Sequence, residues 1–224
     1  MLNEQNATLV QHCFDQLEKD IIDTALKPGQ KLRVEELKQR FGIGGSPIRE
    51  ALSRLVGTGL VEMRHNKGFY VADISEENIR DIYQTFNDIE TLALKKSIEH
   101  GDDKWAAAIV GTLYELSLIE NRETDSDCAE WIKRNYAFHY ALIAGCNSPT
   151  LLQMRQEIYK RFDRYCRMGF ALIKNNLEHN QHEHKKLADA VLKRNYDQAA
   201  SLMTMHIMGS LEEIIILLKK NKFI

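Results

Sequence analysis

Apolar positions in the first third of the chain change period three times. Between Leu32 and Phe41 they recur at helical spacing, with Leu37 and Phe41 on the inward side. Gly42-Ile-Gly-Gly45 breaks that pattern, and Ile48, Leu52 and Leu55 resume it in four- and three-residue steps, which predicts a second helix. Ser46 and Pro47 supply that helix with an N-cap and with a first position whose missing N–H costs nothing. Two short helices joined by a tight turn read as a helix-turn-helix. Leu60–Met63 and Phe69–Val71 are short strand-like runs, and Arg64-His-Asn-Lys-Gly68 between them suits a hairpin. A basic hairpin following such a helix is a wing.

Past residue 72 the period is helical throughout. Ser75 with Glu76 and Glu77 is an N-cap followed by acidic residues where a helix N-terminus favours them. The helix that it opens places Ile79, Ile82, Tyr83, Phe86, Ile89 and Ala93 inward. Gly101-Asp-Asp103 ends it and Asp125-Ser-Asp127 starts another. Gly145-Cys-Asn-Ser-Pro149 precedes a helix reaching about Lys174, and Asn195-Tyr-Asp197 divides the last two. About six helices result, whose apolar faces must be covered by one another or by a second subunit. The expected fold is mainly α: a winged helix-turn-helix over residues 1–72, then an all-α six-helix bundle over residues 73–224.

Composition adds a contrast of charge. The 224-residue chain, long enough for two domains, carries a net charge of −2. Between residues 30 and 70, however, eight Lys and Arg face four Glu, and Arg49, Ser53 and Arg54 lie on the outward face of the capped helix. A local cationic footprint on an acidic chain fits binding of nucleic acid through one face, because neutralised phosphates release counterions. The N-terminus has no basic segment followed by an apolar run. The longest apolar stretch, Ile214–Leu218, falls well short of the roughly 18 residues of a membrane span. A soluble, cytoplasmic protein with no membrane partner is expected. Cys13, Cys128, Cys146 and Cys166 have no paired short spacing, which predicts buried thiols rather than a thiolate zinc site or a redox pair.

The histidines carry the candidate chemistry. Asn135 and His139, four apart, share one helical face. His184 and His206 each lie eleven residues from Asn195, so in an antiparallel helix pair both stand about 16 Å from the turn and at the same height. Three imidazoles and one oxygen donor suit a divalent metal, zinc first and nickel or another borderline ion second, with positions left open for water or a carboxylate. Arg134, Arg155, Arg161 and Arg164 are the candidate cations for that carboxylate, and His179 and His182 read as solvated. Two alternatives stand beside this reading. One is a histidine-lined pocket without metal. The other is a metal-dependent hydrolase or lyase, which Glu183 would serve poorly as a base, since the neighbour of a helical ligand points about 100° away.

Lys27-Pro-Gly-Gln-Lys-Leu-Arg33, Ser46-Pro-Ile-Arg-Glu-Ala-Leu52, Gly59-Leu-Val61 and Lys67-Gly-Phe-Tyr-Val71 resemble the winged-helix head of GntR-type bacterial regulators. The resemblance implies that Arg33, Gly45, Ser46, Arg49 and Arg54 contact DNA, with Lys67 and Gly68 at the wing tip in the minor groove. The Gly44-Gly45 pair departs from the family, which more often has polar side chains there. Asn135-x-x-Phe-His139, Glu183-His184-x-x-Leu-x-x-Ala190 and Met203-x-x-His206 resemble the FCD effector domain of the FadR subfamily, and six helices point to its VanR-like branch. That likeness implies a metal held by Asn135, His139, His184 and His206, and a small carboxylate as effector. Asn135 departs from the aspartate common at its position. Lys31–Val71 with Ala137–Cys146 and Leu151–Arg155 is also similar to a family member that acts on glutarate and γ-aminobutyrate catabolism. The function so implied is a homodimeric repressor of a catabolic operon, not an enzyme, bound to a near-palindromic operator.

Overall fold

The computed structural model describes residues 2–120, 128–170 and 177–224. Its contacts form two compact units, one of Met1–Ile82, Glu157–Ile173 and Glu213–Ile224, the other of Tyr83–Gln156 and Lys174–Glu212.

The first unit opens with α1 (Leu2–Ile22), which was not anticipated although Val10, Cys13, Phe14, Leu17 and Ile21 recur at helical spacing and are all buried. Then come β1 (Lys31–Leu32), α2 (Val34–Phe41), α3 (Gly45–Gly57), β2 (Val61–Arg64) and β3 (Gly68–Val71). α1 packs on α3, where Ile48, Leu52 and Leu55 are buried as the spacing predicts. The strands form an antiparallel sheet in the order β1-β3-β2, with Leu32 opposite Phe69 and Val61 opposite Val71. The hairpin tip uses left-handed backbone at Asn66 and Gly68.

Two expectations are corrected here. Leu32 is a strand residue, because its pairing with β3 outweighs the helical period, and α2 starts only at Val34. Ser46 is not a cap: α3 begins at Gly45, with Gly44 extended before it and no side-chain capping bond. Pro47 then stands third in the helix, where its absent N–H is still one of the donors that a helix start leaves unpaired. Gly42, at φ 66°, closes α2 by donating its N–H to the Lys38 carbonyl at 2.9 Å, a left-handed turn that suits glycine.

α4 (Glu76–His100) and α7 (Pro149–Phe170) each contribute residues to both units. Ser75 caps α4 as predicted, its Oγ accepting the Asn78 N–H at 3.1 Å. Of the expected inward residues Ile89 is only half-buried, while Asn87 and Glu90 are buried instead. α5 (Asp103–Glu120) packs against α6 (Cys128–Ile143) and α8 (Leu177–Leu192), and α8 pairs with α9 (Tyr196–Met208). A short 3-10 turn, Ala144–Cys146, precedes α7, and α10 (Leu211–Lys220) ends the chain. Among the described residues, seven α-helices therefore follow residue 72 instead of six, because Gly209-Ser210 separates α9 from α10. The expected helix start at Asp125–Asp127 and the end near Lys174 lie outside the described residues.

α9 and α10 pass a membrane test of length and composition that the uninterrupted apolar runs do not. Tyr196–Lys220, 25 residues with a window of mean hydropathy 1.4, is long and apolar enough to cross a membrane. Within it Met203, Ile207, Leu211 and Leu218 are nonetheless buried. Cys13 and Cys146 are buried and Cys166 half-buried. Burial pushes the Cys13 thiol up to about 11, far from the thiolate that reactivity requires.

One corner of the second unit is packed without slack. Trp105 donates its N–H to Asp102 Oδ1 at 2.8 Å and its indole N–H to the Leu142 carbonyl at 3.3 Å. A Cβ on Gly101 would stand 2.1 Å from the Trp105 ring and 2.6 Å from the Ser97 carbonyl. Gly101→Ala is therefore expected to destabilise the protein by about 1–3 kcal/mol, the usual cost of overpacking. An unchanged urea midpoint would contradict this.

Candidate metal centre and nucleic-acid interface

Three helices of the second unit each present one imidazole to a common point: α6 gives His139, α8 gives His184 and α9 gives His206. Ring centroids lie 5.3 Å apart for His139 and His184, 4.9 Å for His139 and His206, and 4.8 Å for His184 and His206. One ligand nitrogen from each lies within 4.8 Å of the others, so an ångström-scale closure brings them onto one ion bonded at about 2.0–2.1 Å.

The donor set fits such an ion. His184 Nδ1 lies 3.1 Å from Glu120 Oε1, and His206 Nδ1 lies 2.8 Å from Glu183 Oε2. Carboxylates on the outer nitrogens fix ring orientation and raise ligand basicity, the usual arrangement behind metal-bound histidine. His184 Nε2 is left buried with no hydrogen-bond partner, and Asn135 Oδ1, one turn before His139 on α6, is in the same condition. Burial holds His139 well below the ordinary imidazole range, and electrostatic coupling to the neighbouring His206 and His184 rings and to the Arg155 guanidinium acts in the same direction. Burial also lowers His184, although the Glu120 hydrogen bond opposes it. Both rings are kept neutral, the form that binds metal.

Sequence reasoning missed Glu120. It is fully buried, 64 positions from His184, and also accepts the Trp131 indole N–H at 3.3 Å; a lone glutamate at a helix end gives no signal of this. The Arg155–Glu90 pair was equally invisible, joined at 2.6 Å with both side chains buried. Phe86 and Tyr136 flank the Arg155 guanidinium at 5.5 and 4.9 Å. Burial raises the Glu90 carboxyl above its usual range despite that neighbour. Of the four candidate cations, Arg155 is the one whose charge reaches His139. Arg134 is engaged by Glu130 at 2.8 Å and by the Glu115 carbonyl at 2.6 Å, and Arg161 and Arg164 belong to the first unit. His182 is exposed, and the side chain of His179 lies outside the described residues.

In the first unit, Ser46, Arg49, Ser53 and Arg54 occupy the exposed face of α3, opposite the buried Ile48, Leu52 and Leu55. Gly45 leaves space for Arg49, whose Nη1 would stand 3.0 Å from any Cβ there. Arg54 is steered by α1: it donates to Gln11 Oε1 at 2.9 Å and lies 5.0 Å over the Phe14 ring. Arg33 precedes α2 and pairs with Glu36 at 2.7 Å in an exposed setting. Lys67 and Gly68 are exposed at the hairpin tip. α3 and the wing thus carry cations outward from one packed core.

Comparison with known proteins agrees with both halves. Residues 9–71 match the gntR family of bacterial regulatory proteins and residues 81–209 match the FCD domain. The chain is 33% identical over 211 residues to the HTH-type transcriptional regulator BphR of Paraburkholderia xenovorans, covering 92% of this chain and 85% of that one. It is 35% identical over 199 residues to the HTH-type transcriptional repressor GlaR of Escherichia coli, covering 86% and 89%. Among solved structures, E. coli McbR/YncC shares the fold, with a TM-score of 0.75 at 21% identity over 95% of this chain and 98% of that one. These relatives are regulators, not enzymes. The chain is a DNA-binding transcriptional regulator of the GntR family with an FCD domain.

Proposed function

We propose that the protein is a homodimeric repressor of a catabolic operon, controlled by a small carboxylate at a metal site in the FCD domain. In this reading residues 1–72 bind operator DNA in the cytoplasm, and residues 73–224 bind the effector and dimerise. The convergence of three imidazoles on one point, with His184 Nε2 buried and unbonded, carries the proposal. Asn135, His139, His184 and His206 would hold zinc, or nickel or another borderline ion, and that ion supplies a Lewis acid for a carboxylate oxygen. Arg155, anchored by Glu90, supplies a positive charge that His139 feels. The repressor named GlaR supports the direction of control.

Dimerisation has its own support. α5 is apolar around most of its circumference, and Val110, Tyr114 and Leu118, spaced four apart, are exposed along one face. An apolar stripe of this kind on a helix already buried on its other side suits a second copy.

His184→Ala is expected to abolish metal retention, read by elemental analysis of untagged protein, while operator binding persists. Glu120→Gln, which keeps the shape but removes the charge behind His184, is expected to weaken metal affinity roughly 10–100-fold. Wild-type protein purified without metal that still responds to carboxylates would favour the metal-free reading. Arg49→Ala is expected to weaken operator binding by about 1–3 kcal/mol if the side chain reads a base; a salt titration that superimposes on wild type removes that role.

In metal-stripped protein, His139 and His184 are held below the ordinary imidazole value, so the unfolded chain binds more protons. Their contribution to stability is full above about pH 6.5 and is lost as pH falls below it. The thermal midpoint in chelator should drop between about pH 7.5 and 5.5, and the drop should shrink in His139→Gln. A flat profile would refute the burial of neutral rings.

A further inference from the structure

The first unit contains a concave feature apart from the histidine cluster, a pocket of about 300 Å³ at the root of the wing. That is the small end of the range for ligand sites. Glu62 lines it from β2, Asp73 from the segment just after β3, Asn78 from α4, and Arg161, Arg164 and Tyr165 from α7.

Its charges are unevenly matched. Arg64 takes up both acids, donating to Glu62 Oε1 and to Asp73 Oδ2, each at 2.6 Å, and lies over the Tyr70 ring. Arg161 and Arg164 form no ion pair among the described residues. Arg164 is only 3% exposed. Its Nη2 donates to the Ala72 carbonyl at 3.0 Å, but its Nε is buried with no hydrogen-bond partner. Burial, reinforced by the like charge of Arg161, pulls this guanidinium below its ordinary range. Arg161 is held in place against Gly59, whose φ of 74° and missing Cβ admit the Arg161 Nε at 3.2 Å from where a Cβ would be. Tyr165 donates its hydroxyl to Asn78 Oδ1 at 2.6 Å, which leaves the Asn78 amide N–H groups as further donors.

A desolvated cation with an unmade hydrogen bond is costly in a folded protein. An oxyanion remedies both defects at once, since guanidinium groups match carboxylate and phosphate oxygens in geometry and charge. We propose that this pocket is a second effector site, taking a small oxyanion, carboxylate or phosphate, gripped by Arg161 and Arg164 and independent of the histidine cluster. An anion bound there ties the wing root to α7.

Isothermal titration of the full-length, chelator-treated protein with inorganic phosphate and with citrate, at constant ionic strength, tests the site. Wild type is expected to bind at least one of them saturably. Arg161→Gln and Arg164→Gln are expected to weaken that binding roughly tenfold or more, the scale of a lost charge-assisted pair, and His184→Ala to leave it unchanged. Binding of citrate alone identifies a carboxylate ligand and of phosphate alone a phosphate ligand; either supports the site. Arg164 is buried, so if its variant fails to fold, the half-exposed Arg161 decides. Absence of saturation, unaltered binding in Arg161→Gln, or loss in His184→Ala overturns the proposal. So does an Arg161→Gln protein that loses operator affinity while wild type binds neither anion, because the pair then serves DNA phosphate.

Discussion

The register of the α8–α9 hairpin is the constraint on which the histidine cluster depends. A slip of one residue turns a helical side chain by about 100° and would carry His206 out of reach of His184. The connection is three residues long and tightly closed: Asn195 caps α9 through Gln198 at 3.2 Å, and its own N–H returns to the Ala190 carbonyl at 3.0 Å. Arg194 pays a backbone cost here, with a left-handed φ of 54°, which a non-glycine residue seldom adopts. Its guanidinium offsets that cost by donating to the Gly101 carbonyl at 2.6 Å and to the Ile98 carbonyl, and by lying over Trp105 at 5.7 Å. These carbonyls end α4, where a cation is favoured. The Trp105 corner therefore sets the hairpin that sets the site.

That dependence explains what the sequence disclosed. His184 and His206 are symmetric about Asn195, and symmetry about a turn survives folding because helix rise is constant. His139 was legible from its spacing to Asn135, and the wing from Asn66 and Gly68. Leu32 misled because two strand residues have no period of their own, and only pairing with β3 reveals them. Ser46 misled because an extended glycine begins a helix as readily as a capping side chain. Glu120 and the Arg155–Glu90 pair left no trace, since each joins residues more than 60 positions apart. Long-range pairs of charge follow from packing, and packing has no local signature.

The arginines show how environment divides labour among identical side chains. An exposed pair such as Arg33–Glu36 contributes little to stability, so a phosphate can replace the glutamate at small cost. Arg155–Glu90 is different. With both partners buried, removal of either leaves a charge in a medium that cannot solvate it. Cations on the head are thus exchangeable and suited to a polyanion, whereas Arg155 is a fixed charge around which the proposed effector would have to arrange itself.

Control of DNA binding also needs a difference between states. A ligand moves a conformational equilibrium only as far as its affinities for the two forms differ. An ion held only by α6, α8 and α9 would stabilise whichever form keeps those three helices together, and by itself would discriminate little. A carboxylate reaching from that cluster to Arg155, as proposed, would add a fourth helix, α7. This helix also carries Arg161 and Arg164, and its later residues group with the DNA-binding head. An effector whose affinity depended on where Arg155 stands would therefore be sensitive to the position of α7.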